Sequence, residues 1–129
     1  MKNLFAILIL LLGAGSAHAA DTQPDLTFKD PWARATAPSA MVGAGYVVIV
    51  NTSDKDYAMV AASSPVAGHV ELHQVQLDPN THVMRMRQVE KIDILADSVV
   101  ALAPKSYHFM LMNLKQPLNE GDSFPLTVV

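Results

Sequence analysis

The sequence predicts an all-β domain, built as an antiparallel β-sandwich with Greek-key connections. Many short segments alternate apolar and polar residues with the period of two that is typical of strands. Clusters of Gly, Pro, Asn, Asp and Ser separate these segments, and no segment has the periodicity of a convincing amphipathic helix. Short strands joined by turns at this spacing favour two packed antiparallel sheets.

The chain begins with a predicted secretory signal peptide, residues 1–19. Lys2 provides its positive charge, residues 4–12 form its apolar run, and small residues around Ala19 mark a cleavage point. The apolar run is too short for an ordinary membrane span, so we expect removal after Ala19 rather than anchoring. Residues 20–25 are then a flexible start, and residues 26–129 form a single domain.

Composition excludes several classes of function. After removal of Lys2 the chain keeps eight basic residues against twelve acidic ones, without a basic cluster, so nucleic acid is not an expected partner. No amphipathic helix or second hydrophobic segment predicts membrane insertion. The absence of cysteine excludes a thiolate nucleophile, a zinc-thiolate site and a blue-copper centre.

The strongest strand pattern is residues 44–50, which we expect to be central. Pro31 kinks the first strand, and Pro125 places the last strand at an edge or a bulge. Pattern alone does not choose between an immunoglobulin-like and a cupredoxin-like sandwich. The predicted strands are 26–34, 44–50, 57–61, 70–77, 82–89, 92–95, 98–102, 107–114 and 123–129.

Residues 70–89 are predicted to form a β-hairpin around the turn Asp78-Pro-Asn-Thr81. With a four-residue loop, His73 is expected to face Met86, Val75 to face Met84, and Leu77 to face His82. Directly opposed residues have Cβ atoms about 4.5–5.5 Å apart, so an imidazole and a thioether can share one metal ion.

A second stretch, His108-Phe-Met-Leu-Met112, places a histidine and two methionines on one face of a strand. Thioether sulfur and imidazole nitrogen are ligands that suit Cu(I), and neither forms disulfides in an oxidising compartment. The predicted copper ligands are His73, Met86, His108 and Met110. Met112 is expected to be a core residue.

Three further side chains on the hairpin face are possible additional ligands: Met84, His69 and His82. For Met84, packing in the core is the favoured interpretation because its predicted partner is Val75. His69 and His82 are more simply exposed histidines, although they could hold Cu(II) at a secondary site.

These residues resemble the PCuAC family of periplasmic copper chaperones, whose motif is His, ten residues, Met, twenty-one residues, His-x-Met. Met86 is followed by twenty-one residues and His108-Phe-Met110, which matches, whereas twelve residues separate His73 from Met86. A longer turn, with one residue added to each arm, would keep His73 opposite Met86. The resemblance extends over nearly the whole mature chain, including Asp30-Pro-Trp-Ala-Arg34 and Val70-Glu-Leu-His73.

The resemblance implies a cupredoxin-like sandwich that binds Cu(I) at an exposed site in the periplasm. It also implies a carrier rather than an enzyme, which delivers copper to a cuproenzyme such as the copper centre of cytochrome c oxidase. The implied partners are an oxidase subunit or a thiol-bearing copper chaperone, and the protein itself is expected to be a monomer.

Three other functions stay open. The leading alternative is a metal-free interaction or assembly module of the cell envelope, in which the methionines form an ordinary apolar interface. An electron-transfer cupredoxin is disfavoured because cysteine is missing. A copper-dependent enzyme is the third function, and only an assay of oxygen or peroxide chemistry would exclude it.

Overall fold

The computed structural model describes residues 5–12 and 25–129, and every regular element in these ranges is a strand. The strands are β1 (Phe5–Leu12), β2 (Leu26–Arg34), β3 (Val42–Asn51), β4 (Tyr57–Met59), β5 (Ala62–Ser63), β6 (Ala67–Leu77), β7 (Met84–Gln88), β8 (Ile92–Ile94), β9 (Ser98–Leu102), β10 (His108–Leu114) and β11 (Ser123–Val128). The predicted all-β class is therefore confirmed.

β3 is a central strand because it has neighbours on both edges. β2 pairs with one edge, while β9 and β10 share the other, each antiparallel to β3. Val47 and Ile49 of β3 are buried in the core, together with Phe109 and Leu111 of β10. Burial of such side chains stabilises the fold by about 1.5–3 kcal/mol each.

The sheet continues from β10 to β6 and ends at β7. β6 pairs with β10 through residues 67–73 and with β7 through residues 73–77, both antiparallel. β5 and β11 extend the same sheet, and β4 pairs with β8 in a separate two-stranded sheet. Many neighbours in the sheet are distant in sequence, as Greek-key connections require.

β1 lies within the predicted signal peptide. Its backbone runs parallel to β11 and antiparallel to the end of β2. β2 and β11 pair with β1 only while residues 5–12 remain attached to the domain. The predicted cleavage point after Ala19 and residues 20–24 lie outside the described residues, so removal of the signal remains a prediction.

Most of the remaining predicted strands are present, with ends that differ by a few residues. β2 is irregular between Lys29 and Trp32, where Asp30 has a φ of 51°, in agreement with the predicted kink at Pro31. β5 was not predicted because its two residues are too few for a periodic pattern.

The predicted register of the hairpin is wrong, although the hairpin itself is confirmed. His73 pairs with Gln88 rather than Met86, Val75 pairs with Met86, and Leu77 pairs with Met84. The connection therefore spans residues 78–83 instead of four residues, and His82 lies in it rather than opposite Leu77. A shift of two residues leaves every side chain on its predicted face but changes its partner.

Local hydrogen bonds explain the longer connection. The Asp78 carboxylate accepts hydrogen bonds from the backbone N–H groups of Asn80 and Thr81, at 2.8 and 3.3 Å. The Asp78 N–H donates to the Val83 carbonyl at 2.9 Å, and His82 adopts a left-handed φ of 56°. These interactions stabilise a wider loop, a type of local chemistry that strand periodicity does not report.

Candidate metal site

The candidate site lies on the face of the sheet that points away from the core. Along β10, Phe109 and Leu111 enter the core, so His108, Met110 and Met112 lie on the other face. The register between β10 and β6 is His108 with His73, Met110 with Glu71, and Met112 with His69. The outer face therefore has three adjacent rows of histidine, methionine and glutamate side chains.

His73 and His108 form the centre of the candidate site. They are directly opposed across the β6–β10 pair, and their ring centroids are 5.6 Å apart. His108 is only 3% exposed and His73 is partly buried, so both imidazoles are held by their surroundings. The sequence did not predict this pair, because periodicity does not say which distant strands become neighbours.

His108 offers one free nitrogen to a metal ion. Its Nδ1–H donates to the Ser106 carbonyl at 3.0 Å, since a carbonyl oxygen can only accept. Its Nε2 therefore has a lone pair, and this buried atom has no hydrogen-bond partner among the residues that the structure describes. Burial lowers the pKa of His108, the Ser106 carbonyl partly offsets this, and nearby His73 lowers it further, which favours the neutral ring.

His73 offers the complementary nitrogen. Its Nε2–H donates to Glu71 Oε2 at 2.7 Å, because a carboxylate oxygen is only an acceptor here. In the neutral ring Nδ1 then has the lone pair, and this atom is buried without a partner in the described part of the chain. This hydrogen bond is also the first cause of the lowered pKa of Glu71. A carboxylate behind a histidine is the usual arrangement for orienting a metal ligand.

Thioethers line the cleft beside His108. Met110 of β10 is half-buried, whereas Met86 of β7 is 62% exposed, and both line a cleft of about 680 Å³ with His108. Met86 lies next to Val75, one row along β6 from His73, so it is a diagonal neighbour of that histidine. With Met84, which also lines it, the cleft combines three thioethers with the unpartnered nitrogen of His108. The unpartnered nitrogen of His73 lies across the β6–β10 pair.

The other predicted residues lie in different places. Met84 is exposed and lines the cleft, so its expected position in the core is wrong. Met112 is half-buried rather than a core residue, because it lies on the outer face beside Val42 and His69. His82 is exposed in the hairpin loop, and His69 is exposed beside Glu71.

The sequence did not predict two features of the site. Tyr46 of β3 lies beside His108, with ring centroids 6.3 Å apart. Trp32 packs against Tyr46, with ring centroids 4.4 Å apart and the rings tilted by 34°. Arg34 and Lys105 also line the cleft. The alternation of β3 predicts that Tyr46 and Ala44 share a face, but only the β3–β10 pairing brings that face to His108.

Neither a carboxylate-rich metal cluster nor a membrane-spanning helix is found in the described ranges. No group of three or more His, Cys, Asp or Glu side chains is arranged there to hold a metal ion. Among the same residues, no helix is long and apolar enough to cross a membrane. The candidate site instead combines histidines with methionines.

Comparison with known proteins identifies the family. Residues 26–129 match the family described as "Putative lipoprotein LpqE-like", and the chain belongs to this LpqE-like family. It is 31% identical over 129 residues to "Putative lipoprotein Lxx21020" of Leifsonia xyli subsp. xyli, covering 95% of this chain and 76% of that protein. It is 35% identical over 108 residues to "Uncharacterized protein RP573" of Rickettsia prowazekii, covering 78% of this chain but only 56% of that protein.

Solved structures confirm the predicted fold. The chain is similar to the "Copper-bound PCuAC domain from PmoF2", with a TM-score of 0.67 and 20% identity over 81% of this chain and 80% of that one. It is equally similar to the "Apo PCuAC domain from PmoF1", with a TM-score of 0.67 and 22% identity over 81% and 82%. The cupredoxin-like β fold and the resemblance to PCuAC domains are therefore confirmed at the level of structure.

Proposed function

We propose that the protein is a Cu(I)-binding carrier that holds the ion between His73, His108, Met110 and Met86. The observation that supports this proposal best is the pair of buried, unpartnered nitrogens, His73 Nδ1 and His108 Nε2, on opposed residues. Leaving such atoms without a partner costs about 1–3 kcal/mol each, a cost that a bound ion would remove.

The donor set favours Cu(I) over harder ions. Two neutral imidazoles and two thioethers suit a soft, singly charged metal. Arg34 and Lys105 line the same cleft, so a divalent ion would meet about twice the repulsion that Cu(I) meets. A resident Cu(II) is for this reason the less favoured cargo.

We further propose that the protein transfers copper rather than catalysing a reaction. Met86 and Met84 are exposed at the edge of the sheet, where a partner's ligands can replace them. The similarity to a copper-bound PCuAC domain supports this role, and the lipoprotein names of its relatives support export from the cytoplasm to the periplasm. Delivery to the copper centre of cytochrome c oxidase is the specific route we propose.

A metal-free interaction module is the alternative function. The observation that favours it is the exposed apolar tip of the hairpin, where Leu77, Val83 and Met84 are each about half exposed. Such a module would bind a partner through this tip and would have no use for the two unpartnered imidazole nitrogens.

Cu(I) titration against a competing chelator separates these functions. We expect the full chain to bind Cu(I). We expect the double substitution His108→Ala and Met110→Ala to weaken Cu(I) binding by about 100-fold or more. Substitution of Met59, a buried core methionine, by Leu is the matched control and should leave the affinity unchanged. Equal affinities of the double variant and the wild type would show that the site is misassigned.

A further inference from the structure

A second histidine and methionine pair lies on the same outer face as the candidate site. His69 of β6 is directly opposed to Met112 of β10. Four residues along each strand separate this pair from His73 and His108, which is about 13 Å at the usual rise of a strand. One ion cannot contact both pairs.

The pairing of His69 with Met112 is the arrangement that a shared soft ion requires. Directly opposed residues have Cβ atoms about 4.5–5.5 Å apart, which brings an imidazole and a thioether within reach of one metal. Among the opposed residue pairs of the described sheets, this is the only one that joins a histidine to a methionine. The expected pairing of His73 with Met86 does not occur, and His69 with Met112 provides the same chemistry elsewhere.

The hydrogen bonding of His69 leaves a nitrogen available. Its Nε2–H donates to Glu71 Oε1 at 3.2 Å, while the other oxygen of the same carboxylate accepts from His73. In their neutral forms both imidazoles are therefore held by one glutamate in the same tautomer, with the lone pair on Nδ1. His69 is 53% exposed and Met112 is half-buried, so an ion could reach this pair from solvent.

We propose that His69 and Met112 form a second Cu(I) site, weaker than the first, at which copper enters the protein. Met110 and Glu71 occupy the row between the two sites, so their backbone positions lie about 7 Å along the strand from each row. The lower affinity follows from two protein ligands instead of four. The choice of copper rests on the proposed function, whereas the pairing itself rests on the register alone.

Cu(I) stoichiometry of the full chain, measured by native mass spectrometry and by titration against a weak competing chelator, tests this proposal. The wild type should take up two Cu(I) ions, the second at least about tenfold more weakly. Met112→Leu and His69→Gln should each remove the second ion and leave the affinity for the first unchanged. Met59→Leu, in the core, and His82→Asn, in the hairpin loop, are matched controls that should keep both ions.

The outcomes distinguish this site from the proposed function. Uptake of a single ion that depends on His108 and Met110 would overturn the second site and leave the proposed function intact. Retention of two ions by both Met112→Leu and His69→Gln would also overturn it. No uptake of Cu(I) by the wild type would overturn the second site and the proposed function together.

Discussion

β10 and β7 both contribute methionines to the cleft, but their surroundings differ. β10 lies between β3 and β6, and four of its seven residues are buried, including His108. β7 pairs with β6 at the end of the sheet, and every one of its residues is exposed. One half of the candidate site is therefore built into the interior of the sheet, and the other half lies on an edge that a partner can reach. A carrier needs both, because it must hold an ion and then release it.

The largest expected difference between the two strands is in stability. Leu111→Ala in β10 should lower the free energy of unfolding by about 2–5 kcal/mol, because it leaves a cavity in the core. Met86→Ala in β7 should change it by no more than about 0.5 kcal/mol, because the side chain is already exposed. Urea unfolding of the two variants measures both values. Similar losses in the two variants would contradict the difference in packing.

The next difference is in copper affinity. Met110→Leu should weaken Cu(I) binding by about 100-fold and Met86→Leu by about 10-fold. An exposed methionine loses about 1.5–2 kcal/mol of side-chain entropy when it is ordered by the metal, whereas half-buried Met110 has already lost part of it. Competition with a Cu(I) chelator measures both affinities, and Met59→Leu is the control. A larger loss of affinity for Met86→Leu than for Met110→Leu would contradict the assignment of β10 as the half that holds the ion and β7 as the half that exchanges it.

A smaller effect is expected from the carboxylate behind His73. Glu71→Gln keeps the shape of the side chain but removes its charge, so it orients His73 less well and should weaken Cu(I) binding by about 10-fold. Glu90→Gln, a substitution at an exposed position, is the matched control. If both variants bind Cu(I) as tightly as the wild type, Glu71 does not act on the metal site.

The smallest effect concerns the loop that carries β7. The N–H groups of Asn80 and Thr81 hold the pKa of Asp78 below its usual value of 3.8. Because the folded-state pKa is lower than the unfolded one, the carboxylate stabilises the fold above pH 3.8, and this contribution is lost as the pH falls through the folded pKa. Asp78→Asn should therefore be slightly less stable than the wild type at neutral pH and equally stable in acid, as measured by urea unfolding. A difference that persists in acid would have another cause.

The sequence predicted the strands and their faces better than their partners. Alternation predicts that His108 and Met110 lie on one face of β10 and that Phe109 and Leu111 lie on the other. The structure agrees, because burial of one face determines which residues point to the core. The partner of His73 depends on the width of the loop after Leu77, which hydrogen bonds of Asp78 set. Periodicity has no information about such bonds, so the expected pairing with Met86 was two residues away from the observed one.

For the candidate site, too, the sequence predicted the faces of the residues better than their partners. All four predicted ligands lie on the outer face of the sheet, because each lies on a strand whose parity could be read from the sequence. The opposition of His73 and His108 joins strands more than thirty residues apart. Tyr46 enters the site only through the β3–β10 pairing. Long-range pairing depends on the complete topology, which no local pattern encodes.

X-ray absorption spectroscopy of the full chain loaded with equimolar Cu(I) tests the central claim most directly, because it counts the nitrogen and sulfur atoms bound to the metal. The site assigned to His73, His108, Met86 and Met110 predicts two nitrogen and two sulfur ligands, with one sulfur lost in Met86→Leu. A copper environment of nitrogen and oxygen alone, unchanged in Met86→Leu, would contradict a site shared between the interior of the sheet and its edge.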